Sequence, residues 1–157
     1  MNQAPQQPLT SQVPSAVLDT NVVLDWLVFH DPRCAALMRA IAAGELRWVA
    51  TEAMREELAH VLHGGTLDRW APDVAAVHAA WDRHCDTRPE PPAAPLAGWP
   101  RCRDRDDQKF IDLALAGPAR WLFSRDRAVL RLARRLGAAG VEVTTPEHFA
   151  PSVPAAA

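Results

Sequence analysis

Cysteine is scarce in this chain, lysine nearly absent and long apolar runs missing, and each shortage removes a class of protein. The three cysteines, Cys34, Cys85 and Cys102, are an odd number without a CxxC pair. Neither a disulfide framework nor a zinc ribbon is indicated, and all three read as reduced thiols. His60, His63, His78 and His84, with Cys85, lack the closed ligand spacing of a zinc site. No apolar stretch approaches the roughly 20 residues that span a bilayer, since even 19–29 is broken by charges. Residues 1–15 have neither a basic start nor an apolar run, which argues against a secretory signal. A cytoplasmic location without a membrane partner is the expectation. Positive charge is also short: the net charge is −2, and Lys109 is the single lysine.

What remains is an ordinary globular composition. At 157 residues, 48% hydrophobic and 23% charged, the chain is long enough for one core and one domain. The Gln-, Pro- and Ser-rich residues 1–15 and the Pro- and Ala-rich residues 150–157 are expected to be loose tails around a domain at 16–149. Within it, strands and helices alternate. A strand ends at Leu18, and Asp31-Pro32 opens a helix to about Ala43. Leu46–Ala50 is extended, and Thr51 caps a helix carrying Met54, Leu58, Val61 and Leu62 that Gly64-Gly65 ends. Ala75–His84 reads as a helix and 88–100 as a Pro-rich loop. A helix then carries Phe110, Ile111, Leu113 and Ala114, followed by a strand at Arg120–Ser124, a helix at Ala128–Leu136 and a strand at Val141–Thr144. Such alternation implies a parallel sheet covered on both faces. The six tryptophans read mainly as core, with Trp99 in the Pro-rich loop expected to be the exposed one.

The chemistry lies in the acids. Asp19 and Asn21 follow the Ala16-Val17-Leu18 strand, at the carboxyl edge where open α/β sheets build their sites. Glu57 lies at the border of the Met54, Leu58 and Val61 face, whereas Glu52 and Glu56 turn to water. Asp107 stands three, four and seven residues before Phe110, Ile111 and Ala114, on their face; Asp106 is nearly as well placed, and Asp104 reads equally as a helix cap. Asp126 follows its strand as Asp19 follows the first, so neighbouring parallel strands would bring the two together. Carboxylates gathered from separate elements repel unless a cation sits among them, which points to a hard divalent metal and metal-assisted phosphoryl transfer.

Four segments then carry a family resemblance: Val-Leu-Asp-Thr-Asn-Val-Val at 17–23, Thr-Glu-Ala-Met-Arg-Glu-Glu-Leu at 51–58, Arg-Asp-Arg-Asp-Asp-Gln-Lys-Phe-Ile-Asp-Leu-Ala-Leu-Ala at 103–116, and Leu-Phe-Ser-Arg-Asp-Arg-Ala-Val-Leu at 122–130. In order and spacing they resemble the four acidic motifs of PIN domains over about 16–148. The branch they resemble most is that of toxin components of prokaryotic toxin–antitoxin systems, akin to VapC. The resemblance implies a three-layer α/β/α fold with a central parallel sheet and a Mg²⁺- or Mn²⁺-dependent ribonuclease. By motif, it assigns Asp19, Glu57, Asp107 and Asp126 as catalytic and metal-binding, with Asn21, Asp104 and Ser124 in support. An antitoxin is the partner that the toxin resemblance implies; a homodimer is a separate expectation that no motif carries. The chain departs from the branch at Arg105, where Pro is common, and at Arg125, where Gly is common. A bulky cation therefore stands next to Asp126.

Arg127, Arg131, Arg134 and Arg135 recur at helical spacing opposite Val129, Ala133 and Leu136. A basic stripe leading into an acidic pocket suits an RNA backbone; it would equally solubilise a helix or meet an acidic protein. Two other functions fit the acids. One is a catalytically weak PIN-like module that binds RNA or protein without cutting. The other is a phosphoacceptor of receiver type, disfavoured because Lys109 lies inside a helix rather than near a sheet edge.

Overall fold

The computed structural model of the chain describes residues 13–92 and 98–150; the expected tails fall, at 1–12 and 151–157, outside the described residues. The strands are β1 (Ser15–Leu18), β2 (Arg47–Ala50), β3 (Cys85–Thr87), β4 (Trp121–Phe123) and β5 (Glu142–Thr144), of which β1, β2 and β4 are built on short apolar runs. They form one sheet, parallel throughout, in the order β3, β2, β1, β4, β5. The connecting helices are α1 (Thr20–Leu27), α2 (Ala35–Ala42), α3 (Glu52–His63), α4 (Val74–His84), α5 (Gln108–Ala116), α6 (Arg127–Leu130) and α7 (Ala133–Ala138). Strand–helix–strand crossovers cover both faces, giving the expected three-layer α/β/α architecture.

The central strands are apolar without alternation because neither face meets water: Ala16, Val17 and Leu18 of β1 and all of β4 are buried. Ala16 aligns with both Trp48 and Trp121, which puts all three on one face. There the fully buried Trp48 is met edge-on by Trp26 of α1 and Trp81 of α4, with centroids 5.4 and 4.7 Å away. Truncating a side chain so placed typically costs about 3–5 kcal/mol. From β1 the sheet grows to β2 and β3 on one side and to β4 and β5 on the other. The carboxyl ends of β1 and β4 therefore flank the point where strand order reverses, where open sheets leave a crevice.

Some elements differ from the expectations. Ser15, assigned by composition to the tail, begins β1. α1 starts directly after Asp19, in a stretch the apolar periodicity left unassigned. β3 is a polar edge strand whose Cys-Asp-Thr sequence carries no apolar signal; it exists through its backbone pairing with β2. The single helix expected at Ala128–Leu136 is two, because the Leu132 amide bonds to the Val129 carbonyl three residues back (2.9 Å) and tightens the chain between α6 and α7. Thr51 stands at the N-cap of α3, but its buried hydroxyl has no partner there; Glu90 instead accepts the Ala53 amide at 3.1 Å. Trp99 is half-buried, its Nε1 donating to Asp112 Oδ1 at 2.8 Å, and the tryptophan that faces solvent is Trp70. Among the described residues no helix is long and apolar enough to cross a membrane.

Candidate functional site

The carboxyl ends of β1, β4 and β5 are laced together before any side chain is considered: the Asp19 amide donates to the Phe123 carbonyl at 2.9 Å, and the Ser124 amide to that of Thr144 at 3.1 Å. This brings Asp19, at 3% exposure, against the fully buried Ser124, whose hydroxyl donates to Asp19 Oδ2 at 2.6 Å. Asp19 Oδ1 accepts the Asn21 amide at 3.4 Å, so Asp19 also caps α1. Burial pushes its carboxyl above the usual range; the Ser124 and Asn21 bonds oppose this, and repulsion from Asp126 and Glu57 adds to it. Asn21 itself is exposed and contributes only its amide.

Asp126 caps α6, with Oδ1 accepting the Ala128 amide at 2.7 Å, while its own amide donates to Ser124 Oγ at 3.0 Å. One serine thus bonds the Asp19 carboxylate and the backbone amide of Asp126, acids that follow neighbouring strands. From across the crevice, a 3₁₀ turn at Arg105–Asp107 leads into α5, and Asp104 caps it by accepting the Asp106 amide at 2.9 Å. The turn buries Asp107, leaving Asp106 exposed. Asp104, Asp107 and Asp126 each offer an oxygen, all within 4.8 Å of one another. Asp107 Oδ2 is buried without a hydrogen-bond partner. Burial, then the charges of Asp19, Asp126 and Asp104, push the Asp107 carboxyl up to about 7. An all-oxygen, anionic donor set with an orphaned buried oxygen fits a hard divalent cation and not a soft one.

Glu57 stands apart from this trio. On α3 it is half-buried, with Oε2 accepting the Thr20 hydroxyl and Oε1 paired to Lys109 Nζ at 2.7 Å. Lys109 also donates to the Asp106 carbonyl at 2.8 Å. Sequence reasoning missed both partners, although their positions were a signal: Thr20 follows Asp19 and Lys109 lies two residues past Asp107.

Arg125 does not crowd Asp126. Its guanidinium turns the other way, to Asp25 at 2.5 Å, Glu147 at 2.9 Å and Asp31 at 3.9 Å. Arg127, Arg131, Arg134 and Arg135 are all exposed, but the break after α6 divides them between two short helices. Arg135 Nη2 donates to the Gly98 carbonyl at 3.2 Å. Arg103 and Arg105 beside Asp104 are exposed as well. The three cysteines are free, and burial raises all their thiols, Cys34 to about 11 and Cys85 to about 12, so none supplies a nucleophile at neutral pH.

Comparison with known families gives a match over most of the chain: the family model described as the PIN domain covers residues 15–128. No curated protein matches the chain.

Proposed function

Since the chain belongs to the PIN domain family, whose members are generally nucleases, we propose that it is a Mg²⁺- or Mn²⁺-dependent endoribonuclease. The observation that carries this reading is the buried, partnerless Oδ2 of Asp107 beside Asp104 and Asp126. A cluster that holds its own carboxylates in repulsion is built for a cation or for a shared proton. Family membership leaves the receiver-type alternative without support.

Asp104, Asp107 and Asp126 would hold the ion, with Asp19 behind them. Bound there, a divalent ion supplies charge stabilisation and lowers the pKa of a coordinated water. The chain's residues do the positioning. Ser124 bonds the Asp19 carboxylate and the Asp126 amide, and Asp126 Oδ1 accepts the Ala128 amide, which together hold the two acids in place. Without an ion, burial and the neighbouring charges push the Asp107 carboxyl up to about 7, so it would hold a proton to a higher pH than a free aspartate and ease the repulsion. Exposed Arg127, Arg131, Arg134 and Arg135, together with Arg103 and Arg105, would guide the phosphate backbone of RNA toward the acids.

We further propose, on the resemblance of the four motifs, a cytoplasmic toxin of a type II toxin–antitoxin pair with an antitoxin partner, and, as a separate expectation, a homodimeric state. Purified full-length chain should cut single-stranded RNA in Mg²⁺ or Mn²⁺, stop with chelator, and lose cleavage in Asp19→Asn and Asp107→Asn. RNA binding without cleavage in either metal would favour the catalytically weak binding module. A neighbouring small gene for a DNA-binding protein that blocks cleavage would support the toxin assignment; cleavage unaffected by any neighbouring product would leave a stand-alone nuclease.

A further inference from the structure

We infer that Lys109 occupies the place of a second cation, so that the site takes one divalent ion at its Asp107 end while the chain itself neutralises the Glu57 end. This rests on the metal-dependent reading above. The two ends of the acidic crevice differ in how their oxygens are satisfied. At one end, Asp104, Asp107 and Asp126 present oxygens within 4.8 Å of one another, and Asp107 Oδ2 has no partner. At the other end Glu57 has no oxygen free of a donor: Thr20 takes Oε2 and Lys109 takes Oε1 at 2.7 Å. The ammonium is itself braced by the Asp106 carbonyl at 2.8 Å.

That bracing is what makes Lys109 more than a surface partner. Its Nζ spans α3 and the turn that delivers Asp107, and the Lys109 and Glu57 side chains are each only about a quarter exposed, at 26% and 27%. An ion entering at Glu57 would either displace Lys109 or bring its divalent charge against the ammonium, and both are opposed by like-charge repulsion. An ion at the trio would meet only carboxylates. The lysine has three donors, and two are committed. The third, with the positive charge behind it, is available to a phosphate oxygen as a point charge. A site of this kind carries its second positive charge covalently, and its metal requirement falls to a single ion.

The test counts ions on the full-length chain. Isothermal titration with Mn²⁺ should give one ion per wild-type chain. Lys109→Gln, which frees Glu57, should take two. Glu57→Gln should still take one, with affinity within about twofold of wild type, because Glu57 is not a ligand of that ion. Melting curves on each variant establish that it is folded before it is titrated. Two ions in the wild type, a single ion in folded Lys109→Gln, or loss of Mn²⁺ binding in folded Glu57→Gln would each overturn the inference while leaving a metal nuclease standing. If Lys109→Gln does not fold, the wild-type and Glu57→Gln titrations decide alone. No Mn²⁺ bound by the wild type would overturn both the inference and the metal reading beneath it.

Discussion

Ser124 and Asp19 are joined by a 2.6 Å hydrogen bond in which a fully buried hydroxyl serves a carboxylate that is itself 3% exposed. The same oxygen accepts the Asp126 amide at 3.0 Å, so one side chain both stabilises a buried charge and sets the spacing of two acids. Hydrogen bonds to charged groups contribute about 1.5–3 kcal/mol, and a buried group left without its partner bears the full desolvation penalty. Ser124→Ala is therefore expected to lose about 1–3 kcal/mol at neutral pH, read by urea unfolding in chelator, and to bind Mn²⁺ more weakly. Unchanged stability and unchanged Mn²⁺ affinity would mean that β1 and β4 hold the acids without the serine.

The raised Asp107 carboxyl makes stability depend on pH with a defined sign. Its folded-state value of about 7 lies above the roughly 3.9 of an unperturbed aspartate, so the native state keeps a proton that the unfolded chain releases. The stabilisation is full below about pH 4 and is lost as pH rises through about 7. Burial of Asp19 acts in the same direction. In chelator, the stability difference between wild type and Asp107→Asn should drift against wild type from pH 4 to 7, leaving the variant at least as stable at neutral pH. Millimolar Mg²⁺ or Mn²⁺ should reverse that order, stabilising wild type by about 2.7 kcal/mol when the ion is at 100 times its Kd and the variant little. Because metal competes with the proton, affinity should climb with pH toward 7. Denaturation curves at several pH values in chelator and in metal check all three points. A difference that is flat with pH would show that Asp107 holds no such proton.

The fold was readable because its central strands and the helix faces above them are unambiguous: Val17, Leu122 and the Met54, Leu58 and Leu62 stripe have no other place than a core. β3 was not readable, since a polar edge strand is specified by the backbone of β2 and not by its own side chains. Asp107 could be favoured over Asp106 from helical spacing, and the 3₁₀ turn that buries one and exposes the other agrees with it. What spacing does not encode is pairing across elements. Thr20 and Lys109 reach Glu57 over sequence separations of 37 and 52 residues, and the direction in which Arg125 turns depends on acids contributed by α1, the Asp31 turn and the segment after β5.

Arg125 shows how a bulky cation next to Asp126 is accommodated. Its guanidinium, about 20% exposed, joins Asp25, Asp31 and Glu147 and so anchors the turn that carries Asp126 to three other segments. Removing a cation from a fully buried pair costs about 3–5 kcal/mol; with partial exposure, Arg125→Ala should cost about 2–3 kcal/mol in urea unfolding. Arg125→Lys should recover little, because one ammonium cannot reproduce a planar fork shared among carboxylates. Full recovery by lysine would show that only the charge matters.

The exposed arginines give a prediction that separates RNA contact from mere solvation. Arg131 and Arg134 lie on either side of the break after α6, and Arg135 is in part engaged with the Gly98 carbonyl, so the three do not present one straight helical stripe. They can still meet successive phosphates, because a single strand bends to follow its contacts. Each phosphate neutralised on a single strand contributes about 0.7 to the slope of log affinity against log salt. Replacing Arg131, Arg134 and Arg135 by Gln should therefore weaken RNA binding at low salt and reduce that slope by about 1–2, with the Arg135 change contributing least. The measurement is a binding titration at several salt concentrations in chelator, which removes cleavage. An unchanged slope would assign these side chains to solubility or to an acidic protein partner, and would leave Arg103, Arg105 and Arg127, beside Asp104 and Asp126 in the chain, as the residues that draw RNA toward the carboxylates.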